Sequence, residues 1–137
     1  MNVNQLQREK FLETIKKYFK NDLSGKKIAI WGLAFKPSTD DIREAPALFL
    51  IEKLLKMGAK ISVYDPEAME NVKRIFKNKI EYAANPEGTL KDANALVIAT
   101  EWNEFRNPDF AVMRKVMKGK VIFDGRNLYD LQQMKDL

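Results

Sequence analysis

Neither cysteine nor histidine occurs anywhere in the 137 residues. Without cysteine the chain has no disulfide framework, no thiolate nucleophile and no cysteine metal site. Without histidine it has no imidazole base and no histidine-ligated metal, which removes many hydrolase mechanisms at once. No apolar run approaches the ~20 residues of a membrane-spanning helix. The opening MNVNQLQREK carries none of the apolar character of a secretory leader. A net charge of +5 suits an anionic small molecule, although dispersed lysines also make an ordinary solvated surface. No basic run is interleaved with aromatics, so the charge does not outline a nucleic-acid platform. These absences remove cysteine- and histidine-based catalysis and metal sites, and leave only oxygen ligands such as the adjacent carboxylates of Asp40 and Asp41, which could take magnesium.

What is present is one domain's worth of alternating elements, long enough to bury a sizeable core. Residues 4–20 place Phe11, Leu12, Ile15, Tyr18 and Phe19 at helical spacing, before a break at 21–25. That helix either packs on this domain's own sheet or connects to another domain. A first strand is expected at 26–31, ended by Gly32. Pro46 suits a first helical turn, where its missing N–H costs nothing. Leu48, Leu50, Ile51, Leu54 and Leu55 then give an apolar helix with Gly58 just past its end. A strand at 59–64 is cut by Asp65-Pro66. Residues 67–77 read as a helix with Met69, Val72, Ile75 and Phe76 inward. A weak strand at 80–83 and a brief helix over 85–92 follow. The run 95–100 (ALVIAT) is apolar on both faces, as in a buried parallel strand. A helix at 108–117, ended by Gly119, a strand at 120–123, a turn at 124–127 and a final helical turn or two from Asp130 complete the pattern. The last segment reads as interrupted, which suggests a piece of something longer.

Strands alternating with helices at this spacing imply βαβ units with right-handed crossovers. The expected fold is α/β, a Rossmann-like three-layer sandwich on a mainly parallel sheet, preceded by an N-terminal connector helix. The expected division is 1–23 for the connector and 24–137 for the binding domain. Ligands of such sheets sit beyond the carboxyl ends of the strands, near the switch in strand order. The loops 32–43, 100–105 and 124–127 are expected to converge there.

Those loops carry suitable chemistry. Lys36, four residues beyond Gly32, could neutralise phosphate oxygens while nearby N–H groups supply hydrogen bonds. Phe35 could offer a stacking surface; alternatively Phe35 is core and Lys36 solvated. Arg126, in a Gly-Arg-Asn turn, has a planar fork suited to phosphate or sugar, or to an ion pair with Asp124 or Asp130. Thr39, Asp40 and Asp41 read most simply as helix-entry residues. Arg43 either pairs with an aspartate or reaches outward to another ligand. Glu101-Trp102-Asn103 is a loop anchor or a pocket wall. The first turn, GLAFK, lacks the second glycine that lets a dinucleotide pyrophosphate approach. Asp65 resembles the ribose-binding acid of such folds but lies well beyond the usual offset of ~20 residues. A complete dinucleotide site is therefore not expected.

The stretch GLAFKPSTDDIREAP closely resembles the C-terminal, UDP-binding domain motif of the UDP-glucose/GDP-mannose dehydrogenase family, most of all its UDP-glucose 6-dehydrogenase branch. VYDPEAM, ALVIATEWNEFRNPDF and VIFDGRNLYD extend the resemblance in family order from about Ser24 to the end. It implies an oxidoreductase that oxidises a nucleotide sugar twice at C6 with NAD, through a covalent intermediate on a cysteine. Phe35, Lys36 and Arg126 would contact the UDP-sugar, and Arg43 would reach an NAD held mainly by another domain. Asp40 and Asp41 would order the loop. The implied partners are the NAD and central domains, within a cytoplasmic homodimer that binds no nucleic acid and no membrane. Because the catalytic cysteine lies outside these residues, the chain is expected to be inactive alone. The other readings are a stand-alone Rossmann-like scaffold or dimerisation module, or the same domain of a UDP-N-acetyl-hexosamine or GDP-mannose dehydrogenase.

Overall fold

The sequence alternation resolves into an open sheet covered on both faces. In the computed structural model, residues 3–33, 45–99, 110–119 and 121–124 are described. Within them the helix α1 (Val3–Tyr18) precedes β1 (Lys27–Trp31), α2 (Pro46–Lys56), β2 (Lys60–Tyr64), α3 (Met69–Phe76), β3 (Glu81–Tyr82), β4 (Ala95–Ile98), α4 (Phe110–Val116) and β5 (Val121–Asp124). Short 3₁₀ turns at Lys77–Lys79 and Glu87–Thr89 flank β3. The latter stands where a brief helix is expected.

The five strands form one sheet in the order β3-β2-β1-β4-β5, with every adjacent pair parallel. Because successive side chains of a strand point to opposite faces, a central strand covered on both is apolar along most of its length, although β2 buries one serine, Ser62. Ile28 and Ile30 of β1 join Ala95 and Val97 of β4, Ile61 and Val63 of β2, and Phe123 of β5 on one face. Ala29 and Trp31 join Leu96, Ile98 and Ile122 on the other. The first face is covered by α2 through Ala47, Leu50, Ile51 and Leu54, by α3 through Val72, and by α1 through Leu12 and Ile15. The second is covered by Met113 and Met117, with Leu90 and Ala93 from the approach to β4.

The first helix thus packs on this domain's own sheet. Phe11 meets the Phe123 ring edge-on at 6.4 Å between centroids, and Tyr18 meets it at 5.6 Å. Ile75 departs from expectation: it is 53 % exposed, although its spacing places it among the inward residues of α3. The inner face of that helix is filled by Val72, with Met69 and Phe76 half-buried beside it. The neighbouring edge strand β3 is two residues long and offers little surface to cover the last turn. Helical spacing reports which side chains share a face, but not where the sheet beneath them stops.

Candidate functional site

Parallel pairing sends every strand's carboxyl end to the same edge of the sheet. The chain builds outward from β1 to β2 and β3, then places β4 and β5 on the other side of β1. The switch in strand order therefore lies between β1 and β4. Trp31 is in register with Ile98, and Ile98 with Asp124, so the ends of β1, β4 and β5 stand side by side. The strands that precede residues 32, 100 and 125 all end at this one edge. Phe35, Lys36, Arg43 and Arg126 lie outside the described residues, as do Thr39, Asp40, Asp41, Glu101, Trp102 and Asn103. The described residues form the platform at this edge.

At the centre of the platform the chain stays with β2 for one residue beyond β1. The Gly32 N–H donates to the Tyr64 carbonyl at 2.8 Å, and Ala99 N–H donates to the Trp31 carbonyl at 2.9 Å. Gly32 has φ of 96°, a left-handed conformation that glycine adopts without steric cost. Leu33 follows, fully buried, and its N–H donates to Asp65 Oδ2 at 2.7 Å. The other carboxylate oxygen, Oδ1, accepts the N–H groups of Glu67 and Ala68, both at 2.8 Å. Asp65 is only 1 % exposed. A carboxylate withdrawn this far from water is tolerable because charge-assisted bonds from three N–H groups replace hydration. One side chain thereby ties the exit of β1 to the turn that leads from β2 into α3.

Trp31 anchors the same strand end from the opposite face. Its indole N–H donates to Thr89 Oγ1 at 2.9 Å and to the Pro86 carbonyl at 3.1 Å. The Thr89 hydroxyl in turn donates to the Pro86 carbonyl at 2.7 Å. A buried indole needs such an acceptor. The sequence reading gave Trp31 no such role, and took Asp65 as the end of a strand with a likeness to a ribose-binding acid. The usable signal for Asp65 was Asp-Pro directly ahead of a helical pattern, where an aspartate accepts N–H groups two and three residues on.

The buried Asp65 is not presented to a ribose hydroxyl. The oxygens that would take a ribose hydroxyl at the end of β2 already accept backbone N–H groups. Gly32 is also without a second glycine in the turn that follows. Among the described residues, no group of three or more acidic side chains is placed to hold a metal ion. No helix among them is long and apolar enough to cross a membrane. Away from the site, burial pushes the Tyr82 phenol above its ordinary value of 10.0, and its hydroxyl donates to the Lys77 carbonyl at 2.8 Å.

A parallel sheet built outward from β1 in both directions, with the ends of β1, β4 and β5 side by side at its switch point, defines the class: a Rossmann-like α/β domain. Residues 29–131 match the UDP-binding domain of the UDP-glucose/GDP-mannose dehydrogenase family. The chain is 40 % identical over 139 aligned residues to a UDP-glucose 6-dehydrogenase of Pseudomonas aeruginosa, covering 98 % of this chain and 31 % of that protein. It is 44 % identical over 108 residues to the UDP-glucose 6-dehydrogenase of Rhizobium meliloti, covering 79 % of this chain and 24 % of that protein. Among solved structures, a UDP-glucose dehydrogenase from the hyperthermophilic archaeon Pyrobaculum islandicum superposes with a TM-score of 0.82 at 30 % identity. That superposition covers 96 % of this chain and 28 % of the archaeal one. The chain belongs to the UDP-glucose/GDP-mannose dehydrogenase family and corresponds to its UDP-binding domain. It spans roughly a third or less of the length of these relatives.

Proposed function

We propose that this chain binds the nucleotide end of UDP-glucose, as the C-terminal domain of an NAD-dependent UDP-glucose 6-dehydrogenase. The observation that carries the reading is the match of residues 29–131 to the family's UDP-binding domain, on a sheet where β1, β4 and β5 end side by side at the switch point. The 40 % and 44 % identities to UDP-glucose enzymes favour glucose over the acetamido sugars or GDP-mannose. In this reading Phe35 packs against the nucleotide sugar, and Lys36 and Arg126 neutralise it. Arg43 reaches toward an NAD held by another domain. Residues 1–23 act as the connector to a central domain, and the assembled enzyme works as a cytoplasmic homodimer. The chain alone binds without catalysing.

Calorimetric titration with UDP and UDP-glucose tests the binding. Lys36→Ala is expected to weaken UDP by about tenfold or more, since a charge-assisted phosphate contact is worth ~1.5–3 kcal/mol. No binding of UDP at millimolar concentration would replace this reading with that of a scaffold. Incubation of the chain with UDP-glucose and NAD is expected to yield no NADH, and clear turnover would refute the claim of inactivity.

A further inference from the structure

We propose that Asp65 is a positioning residue for the nucleotide sugar: its Oδ2 holds the Leu33 N–H and so sets the direction in which the site loop leaves β1. The inference rests on the function proposed above, because Phe35 and Lys36 follow Leu33 by two and three positions. A binding loop delivers its side chains only as accurately as its point of departure is held. Here that point is held twice, by the fully buried Leu33 side chain and by the 2.7 Å bond from its N–H.

The bond comes from an element distant in sequence, so the geometry of the loop depends on how β2 turns into α3. The two tasks of Asp65 fall on different atoms. Oδ1 accepts the Glu67 and Ala68 N–H groups and serves the start of α3, whereas Oδ2 serves Leu33. An aspartate needed only to cap a helix would have no use for the second contact. This separation makes the role testable. Asparagine has one acceptor oxygen in place of two. In Asp65→Asn an amide oxygen that stays with residues 67 and 68 turns the NH₂ toward the Leu33 N–H, donor against donor, and exchange at Leu33 reports that orientation. In Asp65→Ser the shorter hydroxyl serves the helix side and cannot reach Leu33.

The experiment uses the 137-residue chain with UDP as the probe. Binding is measured by calorimetry, folding by circular-dichroism melts, and the Leu33 amide by hydrogen exchange in NMR spectra. Asp65→Asn is expected to weaken UDP about tenfold, the loss that follows from one misplaced charge-assisted contact, and to speed exchange at Leu33. Val72→Ala, in the core face of the same α3, is expected to lower the melting temperature and leave UDP affinity unchanged. Asp65→Ser is expected to reproduce the affinity loss and replaces Asp65→Asn should that variant not fold. Parent-like affinity in a folded Asp65 variant with faster Leu33 exchange would overturn the proposal. So would an equal affinity loss in Val72→Ala, which would assign the effect to stability alone. Absence of UDP binding in the parent chain would instead remove the functional reading on which the proposal stands, and the proposal with it.

Discussion

Replacing Gly119 by alanine places the sharpest steric demand on the fold. An alanine Cβ at this position would stand 1.9 Å from the Asn94 carbonyl oxygen and 2.8 Å from its carbonyl carbon. That neighbour is backbone, so no rotamer change relieves the overlap. Nor can Asn94 retreat easily. Its N–H donates to the Lys27 carbonyl at 2.7 Å, and its side-chain oxygen accepts the Lys27 N–H at 2.8 Å. The turn carrying Gly119 must move instead. Doing so strains two bonds to the Ala93 carbonyl, from Lys118 N–H at 2.8 Å and Gly119 N–H at 3.0 Å. Two hydrogen bonds at ~1 kcal/mol each, plus repacking around the buried Met117 at the ~1–3 kcal/mol of an overpacked site, put the cost at about 3–5 kcal/mol. Urea denaturation followed by circular dichroism gives the difference directly. Lys118→Ala is the control: its side chain is exposed and its N–H is retained, so a change within ~0.5 kcal/mol is expected. A loss below ~1 kcal/mol in Gly119→Ala would show that the approach of the α4–β5 turn to the β4 entrance is not the constraint described.

Three further outcomes follow from the packing. Ile15→Ala, at a fully buried position of α1, should cost about 2–5 kcal/mol; an unchanged denaturation midpoint would mean that α1 is not part of this core. Trp31→Phe removes the indole donor to Thr89 and leaves a void at the end of β1, for an expected loss of about 2–3 kcal/mol in the same assay. Because burial raises the Tyr82 pKa, the folded state favours the neutral phenol. This contribution is fully present below 10.0 and is lost as pH rises through the folded value. A denaturation series across that range should show a steeper alkaline loss in the parent than in Tyr82→Phe, and identical slopes would refute the assignment.

Much of the fold was legible because its determinants are local. The run 95–99 is apolar at successive positions, as a strand covered on both faces requires, and β4 lies buried on both. Pro46 opens α2 where its ring fits the first turn. Other features escaped because their cause is not local. Ile75 shares the helical phase of buried neighbours yet is exposed beside a two-residue edge strand. Asp65 resembled a ligand-binding acid, but its oxygens are taken by backbone groups, one of them 32 residues earlier in the chain. The candidate residues Phe35, Lys36, Arg43 and Arg126 were nominated from motif and resemblance, and all four lie outside the described residues.

The sequence by itself determined the kinds and order of elements, the strand that stops at Gly32, and the family to which the chain belongs. These reside in periodicity, in residues with restricted backbone geometry, and in long motif matches. Only the tertiary structure decided that β4 pairs with β1 and not with β3, which sets the ends of β1, β4 and β5 side by side. It also decided that α1 packs on the sheet and that Asp65 faces Leu33. The reason is physical: an apolar pattern states that a face must be buried, whereas the partner that buries it is chosen by competition among the whole chain's surfaces.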